Sequence, residues 1–530
     1  MREIIVLKFG SSVLRDENDL PSAVHEIYRW WREGFQVVAV VSAFGDTTNE
    51  LNRRAQSVCT QPNDAFVAQL LATGEAASSA LLGLGLDRAG IPVTVLDAEN
   101  VRLSTDGPTL DAHPTSIDTA RLLYALESSV VVLPGFVGKD RSGQTTLLGR
   151  GGSDLTALFL AHRLGAVCRL IKDVDGLYTS DPNAGPSAAR FARVSYATAA
   201  RVGGAVVQRK AIDFAERNRL KFTVSSVASS CATEIGPYAD SIAISEFPAE
   251  PLRVALLGCG TVGGGVYQRL AALPEFFEVV GVGTRNTGRL ESLLAKPVDI
   301  AVELLGGEEP ARTLISIALR LGRHVVTANK ALLATDLASL QKLAAISGAS
   351  LKYSAAAGGV TPALETIRRA RSSGPLHSIS GVLNGTTNFI LDHIAEGRSL
   401  SDALFIAREQ GYAEHDPQLD LDGTDAAQKL VLLARAAFDV DLPLNSIHKR
   451  GIHSLPSKRN GCVTRLVAEC RRENNDVVAT VSPVELPLDH PLARVSGVEN
   501  CLLIQSQTGK RWEISGHGAG RWPTTEAVLA

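Results

Sequence analysis

Short apolar runs alternate with segments of helical periodicity along the chain. The runs IIVLKF (4–9), VVAVVSA (37–43), VVVLPGF (130–136) and CRLIKDVDG (168–176) read as buried strands. Between them, 64–89 and 153–164 read as amphipathic helices. This alternation predicts α/β domains built on mostly parallel sheets. No repeat of 20–50 residues and no low-complexity tract interrupts it. The stretch EFPAEPLR (246–253) holds two prolines and precedes a fresh glycine-rich strand–turn–helix, which predicts a domain boundary there.

Composition narrows the class. A chain of 530 residues is too long for one core, so two to four domains are expected. Apolar residues make up 45% and charged residues 21%, the balance of a soluble globular enzyme. A net charge of -3 gives no reason to expect nucleic acid or a membrane as partner, which leaves small-molecule substrates. The seven cysteines contain no C-x-x-C pair, which points to a reducing compartment and away from structural zinc or disulfides. No stretch reads as long and apolar enough to span a bilayer. The strand-like run from Ile4 to Lys8 takes the place a signal or transit peptide would need, so the cytoplasm is the expected location.

The segment LRVALLGCGTVGGGVYQRL (252–270) places Gly258, Gly260 and Gly263 in a G-x-G-x-x-G turn between a strand and a helix. Glycine allows the tight turn and lets backbone approach a pyrophosphate, while the helix start at Thr261 and Val262 offers N–H groups to the anion. In that context the motif predicts a Rossmann dinucleotide site. The second strand, FEVVGVG (277–283), runs into Thr284-Arg285-Asn286, where an NAD site would place an acidic residue for the ribose. Arg285, with Arg289 nearby, favours a 2′-phosphate and hence NADP over NAD. The alternative is that both arginines are solvated loop residues.

Four further segments follow in order: HVVTANKALLA (324–334), YSAAAGGVTPALETI (353–367), SGVLNGTTNFIL (380–391) and GYAEHDPQLDLDGTDAAQKLVLLA (411–434). Asp425 and Lys429 are four apart in a helical pattern and face the same way; taken alone they could be an ordinary surface pair. Together with RLVAECRR (465–472), HPLA (490–493) and ISGHGAGRWPTTEAVLA (514–530), these segments closely resemble homoserine dehydrogenases, from about Leu252 onward. The resemblance implies NAD(P)-dependent interconversion of aspartate 4-semialdehyde and homoserine. That chemistry needs a hydride donor, a proton donor for the nascent alkoxide and a clamp for the amino-acid end. The resemblance implies substrate binding by Glu414 and Asp425 and a catalytic lysine at Lys429. A second lysine, Lys330, is implied beside the nicotinamide. Either lysine could give the proton, and Lys429 is favoured. Thr327, Asn329, Asn384, Gly385 and Thr386 are implied to bind cofactor or substrate. The AAAGGVTP loop corresponds to a monovalent-cation site in some relatives, which often carry glutamate where this chain has Ser354.

The first half has its own pattern. Lys8-Phe9-Gly10 ends a strand in a turn that can cradle phosphate oxygens, and no G-x-x-x-x-G-K-[ST] box is present. With VVSAFGDTTNEL (40–51), TGEAASSALL (73–82), LLGRGGSDLTA (147–157) and KDVDGLYTSDP (172–182), residues 1–246 resemble the amino-acid kinase superfamily, aspartokinase most of all. The resemblance implies Lys8 and Gly10 at the phosphates and Ser42, Thr48 and Glu75 near substrate. It also implies Arg150 as a fork for a substrate carboxylate with Asp154 beside it, and Asp173, Asp175 and Tyr178 toward nucleotide. The implied reaction transfers the γ-phosphoryl of ATP, with Mg2+, to the side chain of aspartate.

Departures accompany that likeness. Ser11 replaces the second glycine of the usual opening. The segment GAVVQRK (204–210) places Val206 where the family has a phosphate-facing lysine, with Arg209 or Lys210 as candidate substitutes. The small regulatory ACT domains that usually follow an aspartokinase core have no room between Ile244 and Leu252. The whole therefore reads as a bifunctional enzyme of the aspartate pathway. Two alternatives stay open: the first half is a non-catalytic binding module, or a kinase for another carboxylate such as glutamate. The expected layout is a three-layer α/β/α kinase domain (1–246) and a Rossmann domain (251–377), followed by an inserted α/β catalytic region (378–455) and a segment completing the dehydrogenase (456–530). The resemblance further implies a homo-oligomer, a dimer through the dehydrogenase.

Overall fold

The computed structural model describes residues 3–181, 188–204, 206–229, 231–243, 250–285, 290–413, 415–455, 460–474 and 476–530. The chain divides into two compact units, Met1–Phe247 and Pro248–Ala530.

The first unit is organised by a nine-stranded sheet. Its order is Ser241–Ile242, Phe191–Ser195, Thr233–Gly236, Phe222–Ser225, Val167–Ile171, Ile4–Phe9, Gln36–Val41, Val130–Pro134, Val93–Val95. The central strands are parallel. Successive residues of Ile4–Phe9 and Gln36–Val41 are buried, so helices must cover both faces, giving the α/β/α layering. The helices Leu20–Arg32, Asp64–Arg88 and Gly152–Leu164 supply most of that cover. A small four-stranded sheet (His113–Ser116, Ser104–Asp106, Val137–Lys139, Thr145–Leu147) stands beside it.

One sequence expectation fails here. The helix Asp64–Arg88, 25 residues with a mean hydropathy of 1.3 over its most apolar 18-residue window, is long and apolar enough to cross a membrane. It packs instead against the helices Leu20–Arg32 and Thr47–Val58 and the strands Val130–Pro134 and Thr145–Leu147. Val67, Leu71, Leu82 and Leu86 lie buried in the unit. Phe66 and Leu84 on its other side are exposed, so only one side of the helix joins the core.

The second unit holds a parallel five-stranded sheet in the order Phe277–Gly283, Leu252–Leu257, Ile300–Glu303, His324–Thr327, Leu351–Lys352. A six-stranded sheet follows, in the order His448–Lys449, Asp476–Pro487, Cys462–Glu473, Leu376–Val382, Glu499–Ser506, Arg511–His517. Leu376–Val382 pairs antiparallel with both Cys462–Glu473 and Glu499–Ser506. A division at 455/456 therefore separates strands of a single sheet, because the strand at 376–382 finds its partners only beyond residue 460. What returns to the dinucleotide domain is the final helix, Arg521–Leu529, which packs on the helix Thr261–Ala271.

Candidate active sites

In the second unit, Gly258 adopts φ +109°, and a Cβ there would fall 2.5 Å from the carbonyl carbon of Leu304. A Cβ on Gly263 would fall 2.1 Å from the Gly258 oxygen. These two glycines are thus required by the turn itself. At Gly260 a Cβ would meet nothing within 4 Å, so this face of the turn is bare backbone with open space before it. Gly260 caps the helix Thr261–Ala271 and makes no side-chain cap, so the first N–H groups of that helix, at Thr261 and Val262, are offered to a ligand. The residues present fit a dinucleotide pyrophosphate. Arg285, exposed, donates from Nη2 to the carbonyls of Leu305 (2.9 Å) and Gly306 (2.7 Å), along the loop that follows the third strand of this sheet. Arg289 lies outside the described residues.

Glu303, the last residue of the strand Ile300–Glu303, is fully buried. Burial pushes its carboxyl above the ordinary range, against hydrogen bonds led by Thr327. Its oxygens accept from the Leu305 N–H (2.8 Å) and the Thr327 hydroxyl (2.6 Å). Asn329 donates to the Gly307 carbonyl (2.7 Å) and caps the helix Lys330–Ile346 by accepting from the Leu332 N–H. This scaffold sets Lys330 as the first residue of its helix. The sequence did not single out Glu303.

Lys330 Nζ lies 3.1 Å from Asp425 Oδ1. Lys429 Nζ lies 3.1 Å from Asp425 Oδ2 and donates to the Leu383 carbonyl at 2.7 Å. One carboxylate thus joins a lysine of the dinucleotide domain to a lysine of the catalytic region. The pairing of Asp425 and Lys429 is not a surface pair, since only 7% of Asp425 and 5% of Lys429 is exposed. Burial acts to raise the Asp425 pKa, but Lys429 and Lys330 outweigh it and hold the carboxyl well below its ordinary value. Asn384 donates from Nδ2 to Asp425 (2.8 Å) and to Asp420 (2.6 Å), while its Oδ1 accepts from the Thr387 N–H to cap the helix Gly385–Ala395. Asp420, which sequence reasoning missed, is pushed upward by burial and by the neighbouring Asp425 charge. Gly385 sits where a Cβ would fall 2.5 Å from the Val498 oxygen, and the Thr386 hydroxyl donates to the Tyr412 carbonyl. Glu414 lies outside the described residues. At the start of the helix Ser354–Gly358, just before the AAAGGVTP segment, the Ser354 hydroxyl donates to the buried Glu365 at 2.6 Å, so a carboxylate reaches this position from the next helix.

In the first unit the carboxyl ends of Ile4–Phe9, Gln36–Val41 and Val167–Ile171 lie side by side, with the start of the helix Gly152–Leu164. Lys8 Nζ lies 2.8 Å from Asp154 Oδ1, and Lys172 Nζ lies 2.8 Å from Asp154 Oδ2. All three are buried, at 5%, 3% and 8% exposure. Burial pulls the Lys8 ammonium down to about 8 although Asp154 works to raise it. Asp154 stays below its ordinary value because the two lysines outweigh its own burial. A Cβ on Gly10 would fall 2.9 Å from Lys8 Nζ, so the ammonium lies over bare backbone. Glu75, buried, accepts from the Ala43 N–H (3.3 Å), and burial lifts it to about 7.

The other residues singled out in this unit divide. Ser42 follows the strand Gln36–Val41, and its N–H donates to the Phe9 carbonyl. Thr48 is half-buried in the helix Thr47–Val58, and Arg150 is exposed in the turn before Gly152. Asp173 is exposed, whereas Asp175 accepts from the Tyr178 hydroxyl (2.6 Å), lifting Tyr178 to about 12 behind the larger effect of burial. The two candidate substitutes for the lysine missing at Val206 are engaged elsewhere. Arg209 is exposed and paired with Asp213 (2.6 Å). Lys210 donates to Asp111 (2.5 Å), the Ala112 carbonyl (3.0 Å) and the Leu148 carbonyl (2.8 Å). Lys172 is the lysine that joins Lys8 and Asp154, and it opens the segment KDVDGLYTSDP, whose pattern alone does not mark it. Among the described residues no group of three or more His, Cys, Asp or Glu is placed to hold a metal ion.

Comparisons with known proteins agree with this division. Residues 3–226 match the family model for the amino acid kinase family. Residues 258–353 match the NAD binding domain of homoserine dehydrogenase, and residues 362–530 match homoserine dehydrogenase. The homoserine dehydrogenase of Lactococcus lactis subsp. lactis is 39% identical over 311 residues, 53% of this chain and 73% of that protein. The Corynebacterium glutamicum homoserine dehydrogenase is 34% identical over 316 residues, 53% of this chain and 71% of its own length. Among solved structures, a homoserine dehydrogenase from Thiobacillus denitrificans is 33% identical, covering 53% of this chain and 72% of that one, with a TM-score of 0.49.

Proposed function

Because the chain belongs to the homoserine dehydrogenase family and carries an amino acid kinase domain ahead of it, we propose that it is a bifunctional enzyme of the aspartate pathway. The second unit interconverts aspartate 4-semialdehyde and homoserine with a nicotinamide dinucleotide. The first transfers a phosphoryl group from MgATP to the side-chain carboxylate of aspartate.

For the dehydrogenase, the observation that carries the reading is the Lys330–Asp425–Lys429 bridge. Gly258, Gly260 and Gly263 would hold a nicotinamide dinucleotide, with Thr327 and Asn329 as further cofactor contacts, and the bound cofactor would supply the hydride chemistry. Lys429 gives its Nζ proton to the nascent alkoxide. Its burial, the Leu383 carbonyl and Asp425 fix the position of that Nζ. Asp425 and Asn384, with Glu414, take the amino-acid end of the substrate. Arg285 supports NADP as the preferred cofactor, since its guanidinium suits a 2′-phosphate and no acidic residue stands at 284–289.

For the kinase, the buried Lys8–Asp154–Lys172 cluster carries the reading. Phosphoryl transfer to a carboxylate depends on positioning and charge neutralisation rather than on a covalent nucleophile. The test is to assay the whole chain for ATP consumption with aspartate, trapping the acyl phosphate as its hydroxamate, and for homoserine-dependent NADP reduction in the same preparation. Both activities are expected. A preparation active only as a dehydrogenase sinks the kinase half of the proposal and leaves the first unit as a binding module, a reading that Val206 and Ser11 favour. A dimer through the dehydrogenase completes the proposal, with light scattering as its check.

A further inference from the structure

We propose that Lys172 is a catalytic residue of the first unit, the second cation on the phosphoryl group in transfer, supplied by the strand end at 172. The inference rests on the kinase reading above and assigns a residue within it.

The argument is one of charge. Lysine is almost never fully buried unless paired, and a buried charge without compensation costs several kcal/mol. Here two lysines converge on one carboxylate. The groups that act on Lys8 are Asp154 and Lys172, and those that act on Asp154 are the two lysines. Asp154 can compensate one of them. The cluster thus holds an excess positive charge at the carboxyl edge of the sheet. The start of the helix Gly152–Leu164 adds to it, since Asp154 lies in its first turn and its N–H end faces this edge, and the Gly10 turn leaves bare backbone under Lys8. Such a cluster is complete only with an anion bound.

Position agrees. Lys172 follows the buried strand Val167–Ile171, and its N–H donates to the Ser225 carbonyl of the next strand (2.8 Å), which fixes its Cα. Its Nζ donates to both oxygens of Asp154, at 2.8 and 3.1 Å. An ammonium has three donors and Lys8 shares the same carboxylate, so Asp154 acts as a spacer that sets two ammonium groups together. In the transfer step an acceptor carboxylate oxygen forms a bond to the γ-phosphorus of a nucleoside triphosphate. The bond from that phosphorus to the bridging oxygen breaks, and the diphosphate leaves with the electron pair. No proton moves; both lysines stay charged and face the negative equatorial oxygens.

The test compares Lys172→Met with the wild-type full chain in the hydroxamate assay, with aspartate and with glutamate as acceptors. The expected result is a kcat about 100-fold lower, the scale of losing one transition-state donor, with KM for the carboxylate changed less than threefold. Lys172→Arg is expected to recover part of the rate. Removing Lys172 leaves a neutral Lys8–Asp154 pair, so the thermal midpoint is expected to hold or rise. A counter-ion with a structural role alone would lower the midpoint instead, and that result overturns the assignment. If Met disturbs packing, Lys172→Gln repeats the comparison with a polar side chain. Arg209→Met, altering an exposed side chain, is expected to keep the wild-type rate. A Lys172→Met or Lys172→Gln enzyme within threefold of wild type overturns the assignment alone. Wild type that forms no hydroxamate from either acid overturns the kinase reading and the assignment with it.

Discussion

Lys429 and Asp425 lie one helical turn apart on Thr424–Phe438 and hold each other at 3.1 Å, both buried. A solvated pair at this spacing contributes a few tenths of a kcal/mol; a buried one fixes a lysine Nζ where a proton is needed. Replacing Lys429 by methionine is expected to lower kcat for homoserine oxidation by about 10²–10⁴-fold, the usual scale for a general acid–base group. KM for homoserine should change little. Lys330→Met is expected to cost less in kcat and more in KM for cofactor. The reverse order in steady-state kinetics would reassign the proton to Lys330.

The kinase unit should show a narrow pH optimum. Glu75 is lifted to about 7 and Lys8 lowered to about 8, in both cases chiefly by burial. Below pH 7 Glu75 takes up a proton and loses the charge that its proposed place near substrate would use. Above pH 8 Lys8 loses the proton that makes it a phosphate ligand. A plot of kcat/KM against pH should therefore peak between the two values, and Glu75→Gln should remove the acid limb. A flat profile from pH 6 to 9 would exclude these roles.

Cofactor choice should depend on Arg285. Its guanidinium already spans the carbonyls of Leu305 and Gly306, at the loop beside the dinucleotide turn. Arg285→Ala is expected to raise KM for NADP about tenfold, equal to about 1.4 kcal/mol, with KM for NAD nearly unchanged. Equal effects on both cofactors would mean that the residue acts by holding the loop.

Feedback inhibition should be absent in its usual form. The last strand of the kinase sheet ends at Ile242 and the dinucleotide domain begins its first strand at Leu252, which leaves no length for a regulatory domain between them. Threonine and lysine at millimolar concentration are expected to leave kinase turnover unchanged. A steep sigmoidal loss of activity would contradict this.

How much was legible in the sequence depended on the range of the interaction. Ile4–Phe9 matches its apolar run residue for residue, and the Gly258–Gly263 turn is fixed by local sterics, so both could be read from short windows. The Asp425–Lys429 spacing was legible, but its burial was not, because that follows from packing against Leu383 and Lys330. Asp420, Glu303 and Lys172 escaped for one reason. Each is an ordinary charged residue with a decisive partner 18 to 36 residues away (Asn384 for Asp420, Thr327 for Glu303, Asp154 for Lys172), which only the folded chain brings into contact. Arg209 and Lys210 show the opposite failure: basic side chains near the right motif proved to serve Asp213 and the loops at Asp111 and Leu148. The apolar length of Asp64–Arg88 is legible in composition alone, whereas its packing against neighbouring helices and strands is not.

The closing helix, Arg521–Leu529, also bears on how the protein is made. It seats Thr525 and Arg521 against Gly265 of the helix that follows the dinucleotide turn. A ribosome completes that turn roughly 250 residues before it releases the helix, an interval on the order of 10–50 s at ordinary elongation rates. Throughout it the face around Gly265 and Val266 stays uncovered. The cofactor-binding domain, first of the second unit to be synthesised, is therefore the last to be finished, and chaperone demand during translation should concentrate on it.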